Sequence, residues 1–161
     1  MAEKGMNSVA HKPFVQIACI CEKALLEADG VPSLIRIVDT FTLTHPTHPP
    51  AGLSVEAMLP LTIFISLKSG QVKGEHTIGL RINQPDGNAG PLRQWKIDFM
   101  GGEHGANARI EFALTAPMSG LYWFDVLWGE EVLTRMPLRL NIREEESTDA
   151  KDAPTQTVTH Q

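Results

Sequence analysis
"GLYWFDVLWGEEVLTRMPLRL", Gly120 to Leu140, decides the fold. Tyr122, Phe124, Val126 and Trp128 share one alternating face, and Leu121, Trp123, Asp125 and Leu127 share the other. A stretch with period two that is largely apolar on both faces reads as a strand deep in a sheet structure. Gly129-Glu130-Glu131 reverses the chain, and Leu138, Leu140 and Ile142 then alternate with Arg139, Asn141 and Arg143. Pro137 places a bulge or an edge in that return strand, because proline has no N–H to give a neighbour.

Outward from this hairpin the chain repeats the same pattern. "FVQIACIC" (14–21) is apolar on both faces and suits a central strand; in "EKALLEADG" Glu, Lys, Ala and Leu favour a helix, while the position before Asp29-Gly30 suits a continuation of the strand into a turn. "SLIRIVDTFTL" (33–43) is rich in β-branched residues and returns as a strand. "THPTHPPAG" (44–52), with Pro46, Pro49 and Pro50, is a loop. "MLPLTIFISLKSG" (58–70) reads as one strand ended by Ser69-Gly70, and "EHTIGLRINQPDG" (75–87) as another, closed by Pro85-Asp86-Gly87-Asn88. "QWKIDFMGG" (94–102) and "NARIEFALTAP" (107–117) alternate likewise. No long helix is predicted, so the expected fold is all-β: a single antiparallel β-sandwich of about seven to nine strands.

The 161 residues suffice for one core, and 42% hydrophobic with 20% charged residues is an ordinary globular mix. Residues 1–12 and 144–161 are polar and aperiodic and are expected to be flexible tails around a domain at 13–143. A net charge of -5 with dispersed Lys and Arg argues against nucleic acid as a partner. No apolar run approaches the roughly 18 to 20 residues that span a bilayer, so no membrane partner is expected. The amino terminus lacks a signal-peptide pattern. Cys19 and Cys21 are two apart on one strand, near or beyond the Cα separation of about 7 Å that a disulfide tolerates. Reduced thiols in a cytoplasmic protein are the expectation.

The segments "IACICEKALLEADGVPSLIRIVDTF", "GEHTIGLRINQPDG" and "SGLYWFDVLWGEEVLTRMPLRL", in that order and spacing, resemble a bacterial family of small β-sandwich proteins of unknown function, of immunoglobulin-like or C2-like type. The resemblance covers most of the folded part. It implies a sandwich fold and a prokaryotic chain, and it supplies no catalytic residues. Gly-x-Tyr-x-Phe entering a last hairpin is similar to the closing strands of immunoglobulin-like sandwiches, although the Cys-Trp-Cys arrangement of antibody domains is absent.

Catalytic chemistry finds little support. His45, His48, His76 and His104 form a metal site only if folding gathers at least three ligands, with Asp39, Glu75 or Glu103 among them, and no H-E-x-x-H or C-x-x-C spacing is present. Cys19 and Cys21 lie in the most apolar strand, where a thiol is unreactive. No G-x-S-x-G elbow occurs, and "GGEHGANAR" (101–109) precedes a strand rather than the helix that a phosphate loop needs; it reads as a flexible hairpin connection. Adjacent Glu130 and Glu131 read as a solvated turn. No cofactor is expected. Trp123, on one face with Asp125, is the ring to consider for an interface.

The resulting expectation is a non-enzymatic sandwich that binds a protein partner or itself. Two alternatives are a metal-dependent hydrolase built on the His45 loop, His76 and His104, and a structural subunit of a phage-like or secretion assembly.

Overall fold
The computed structural model describes residues 11–46 and 57–145. Among these there is no helix; seven strands form one hydrogen-bonded network in the order β2-β1-β4-β6-β7-β3, with β5 on β4. The strands are β1 (Phe14–Leu26), β2 (Pro32–Ile37), β3 (Thr40–Pro46), β4 (Ala57–Asn83), β5 (Arg93–Ala116), β6 (Gly120–Trp128) and β7 (Glu131–Glu145). The expected tails fall mainly outside the described residues, as does the segment 47–56 with His48.

The network folds into two layers because β4 and β5 are each long enough to belong to both. The first half of β4 pairs with β1 through Thr62–Lys68 and with β5 from Ala57↔Ala116 to Lys68↔Gly105. Its second half pairs with β6 from Ile78↔Trp128 to Asn83↔Trp123, and with β5 from Lys73↔Met100 to Leu80↔Arg93. The first layer is therefore β2-β1-β4-β5 and the second β5-β4-β6-β7-β3. β1 touches β7 although β4 and β6 separate them in hydrogen-bond order, which is contact across the sandwich.

Two sequence expectations are corrected here. Ser69-Gly70 does not end a strand, and "GGEHGANAR" does not connect a hairpin; β4 and β5 run on through both, side by side, across bulges at Lys68/Gly70 and Gly70/Lys73. The glycines supply left-handed backbone for the bend instead of stopping the ladder. Gly70 has φ 56°, and a Cβ there would lie 2.7 Å from the Phe14 ring. Lys68 Nζ and Ser69 Oγ bind the carbonyls of Glu103 and His104 at 3.2 and 2.9 Å, holding the two strands together as they turn.

Residues 33–43, expected as one strand, break at Val38-Asp39 into β2 on β1 and β3 on β7, whereas two turns follow the sequence. At Asp29-Gly30 the Gly30 N–H reaches the Glu27 carbonyl (2.9 Å), and at Pro85–Asn88 the Gly87 N–H reaches Gln84 (3.0 Å) while Asp86 Oδ1 accepts from the Asn88 N–H (2.9 Å). "EKALL" continues β1, so of its two readings the strand holds and the helix does not. All pairings but one are antiparallel: β3 runs parallel to β7. β3 begins opposite Arg139, so β7 has no outer partner at Pro137, the local edge that a proline requires.

The core joins Ile63, Ile65 and Leu67 of the first layer to Ile78, Leu80, Tyr122, Phe124, Val126, Leu138 and Leu140 of the second. The aromatic face of β6 is thus core: Tyr122, Phe124 and Val126 are at most 1% exposed. The Tyr122 hydroxyl donates to the Met118 carbonyl at 2.9 Å, four residues upstream, the tyrosine corner known from immunoglobulin-like sandwiches. A satellite cluster of Cys21, Ala24 and Phe64, with Cys19 and Leu34 against it, lies outside this core.

Candidate functional site
The other face of β6 carries the most distinctive polar arrangement. Register places Arg81 of β4 and Arg135 of β7 on either side of Asp125. Asp125 is 1% exposed, a rare state for a carboxylate unless it is paired. Asn83 Nδ2 donates to its Oδ2 at 2.9 Å; Arg81 Nη2 lies 3.6 Å from the same oxygen, and Arg135 Nε lies 3.2 Å from Oδ1. The Arg81 and Arg135 side chains are 39% and 60% exposed, so the carboxylate sits beneath two guanidiniums whose outer edges meet solvent.

One row along, Trp123 stands between Asn83 and Pro137, and it is 39% exposed while its neighbours in sequence, Tyr122 and Phe124, are buried. The sequence marked Trp123 and Asp125 together. The structure separates their parts: Trp123 offers contact area, while Asp125 accepts a hydrogen bond from Asn83 and lies at ion-pair distance from both arginines, its Oδ1 and Arg81 Nε having no hydrogen-bond partner among the described residues. Arg135 and Asn83 were not marked, because which residues flank Asp125 depends on strand register. The available signal was the lone Arg81 in an apolar strand.

His76 and His104 have separate surroundings. His76 packs on Trp128 and Phe99, with ring centroids 4.8 and 5.9 Å away, and its Nε2 is 3.0 Å from the Lys73 carbonyl. His104 Nδ1 is 3.0 Å from the Gly101 carbonyl at the bend. His45 lies in β3 opposite Glu144. Glu75 is paired with Lys96 at 2.7 Å. Among the described residues no three of His, Cys, Asp and Glu converge to hold a metal.

Cys19 and Cys21 are free thiols, the first half-buried and the second buried. Burial, then the neighbouring Cys21, pushes the Cys19 thiol up to about 11; burial also raises Cys21. Neither is a ready nucleophile near neutral pH. The sign of the linkage follows: a thiol raised in the folded state stabilises the fold below its ordinary value near 9, and that contribution is lost as pH rises toward 11. The urea midpoint should therefore fall between about pH 9 and 11, and Cys19→Ala should flatten the decline. Thiol reagents should label the native protein slowly and the denatured protein fast; rapid native labelling contradicts the arrangement.

A groove of about 270 Å³ lies beside the satellite cluster, lined by Leu25, Leu26, Pro32, Phe64, Asn107 and Arg109. Arg109 Nη1 is spent on the Ala24 carbonyl at 3.3 Å, and the lining holds no nucleophile or acid–base pair.

No protein-family model and no curated protein matches the chain. Among solved structures, an immunoglobulin-like protein from Pseudomonas aeruginosa is similar over 83% of this chain and 99% of that one, at 13% identity and a TM-score of 0.43.

Proposed function
We propose that the protein acts through its surface, as a protein-binding or assembly module, and that its contact face is the outer side of β4, β6 and β7. The observation that carries this reading is a solvent-facing Trp123 beside two arginines that lie 3.6 and 3.2 Å from the buried Asp125. Tryptophan and arginine are the side chains on which binding energy concentrates at protein interfaces. The buried carboxylate restrains both guanidiniums, so less side-chain freedom is lost when a partner docks. Free Cys19 and Cys21, two apart on one strand, support a reducing compartment and hence the cytoplasm as the place of action.

The test is a photo-crosslinking amino acid, benzoylphenylalanine, in place of Trp123 in the full chain within its native cells, with Met100, exposed on β5, as the control position. A discrete protein adduct from position 123 and none from position 100 is expected. No adduct from position 123, together with a monomeric mass at all concentrations, removes the reading.

A further inference from the structure
Along β7 the buried Met136, Leu138 and Leu140 alternate with the exposed Arg135, Pro137 and Arg139, and Arg143 is exposed beyond them. Parallel pairing sets exposed Thr40, Thr42 and Thr44 beside Arg139, Asn141 and Arg143. With Arg81 across β6, four arginines point outward on this part of the sandwich; among the described side chains the carboxylates beside them are Asp125, which is buried, and Asp39, exposed just before Thr40. In a chain of net charge -5 this is a local reversal of sign. All four cations are arginine, whose planar fork suits carboxylates and phosphates better than the ammonium of lysine does.

Spacing narrows the partner. Residues four apart on a strand are about 13 Å apart, so Arg135, Arg139 and Arg143 form a row with that repeat. Trp123, opposite Pro137, falls between the first two. An extended polypeptide repeats at the same interval. We infer that this face binds an extended acidic segment of a partner protein, with carboxylates at every fourth residue on the arginines and an apolar side chain between the first two on Trp123. This rests on the binding-module reading and adds the chemistry of the partner to it. An acidic peptide is favoured over a nucleic acid because the row of about 13 Å matches every fourth residue of an extended chain, and because a chain of net charge -5 with dispersed cations is a poor match for a continuous phosphate backbone.

The probe is a capped nonapeptide with glutamate at its first, fifth and ninth positions, leucine at the third and serine elsewhere. Its binding to the full chain is followed by fluorescence anisotropy at about 50 mM salt, where surface charges are weakly screened. Arg139→Glu with Arg143→Glu should weaken binding about tenfold or more without moving the melting temperature, since both side chains are exposed. Asp125→Asn is the discriminating variant. If Asp125 orders the arginines, the variant binds the peptide more weakly even though the face becomes more positive. Tighter binding by Asp125→Asn, equal binding of a peptide with its three glutamates adjacent, stronger binding of a nine-nucleotide oligothymidylate, or no binding of the nonapeptide each overturns the proposal. A crosslink from position 123 that survives Arg139→Glu/Arg143→Glu also overturns it while leaving the binding-module reading intact.

Discussion

Phe124→Ala is expected to lower the unfolding free energy by about 3 to 5 kcal/mol, the range for deleting a buried ring and leaving part of the space unfilled. Phe124 is fully buried, stands between Ile82 and Met136 in the sheet, and has the Phe112 ring centroid 6.1 Å from its own. It belongs to the core that joins the two layers, so neighbours on both sides lose contacts. Because a domain of this size has about 5 to 15 kcal/mol in all, the variant should be near its limit at physiological temperature. Trp123→Ala, one residue away, is the matched control: with its ring 39% exposed, it should cost on the order of 1 kcal/mol. Urea midpoints of the two variants check this directly. Equal and severe losses would place both faces of β6 in the core and withdraw Trp123 from the surface.

The second large effect concerns Asp125. Replacing both Arg81 and Arg135 by Met keeps apolar stems over the carboxylate and removes its compensating charges. A loss of about 2 to 4 kcal/mol is expected, less than for a fully buried pair because the guanidiniums themselves reach water. The diagnostic step is rescue. Adding Asp125→Asn should restore most of the loss, since the neutral amide no longer needs a cation. If the Met pair is harmless, or if Asp125→Asn brings no recovery, the arginines do not support the carboxylate and the ordered face loses its basis.

Strands were legible in this sequence because period-two alternation and turn residues act locally. The bend was not. Ser69-Gly70 and Gly101-Gly102 carry the same local signal whether glycine ends a strand or bends it, and only pairing between β4 and β5 distinguishes the two. The arginine face was half legible: alternation around Arg139 and Arg143 was visible, but the flanking of Asp125 was not. Counting back from the two-residue turn that pairs Trp128 with Glu131 sets Asp125 against Thr134 and turns Arg135 toward the core. A register shift between Val126 and Leu127 moves the ladder by one, restoring Arg135 to the outside and Met136 to the inside. A bulge of that kind answers to burial in three dimensions, which the hairpin alone does not state.

The parallel pair β3–β7 has a consequence for how the molecule is made. Every β3 residue stands in register with the residue 99 positions later, from Thr40 with Arg139 to Pro46 with Glu145. At a synthesis rate of about 5 to 20 residues per second, β3 leaves the ribosome some 5 to 20 seconds before its partner exists. Throughout that interval the Thr40–Pro46 strand has no ladder to join, and β6, made near its end, has β4 on one side and lacks β7 on the other. A pause or truncation upstream of Glu131 would leave both strand edges open to other nascent chains. Completion of the last strand is thus the event that seals the domain.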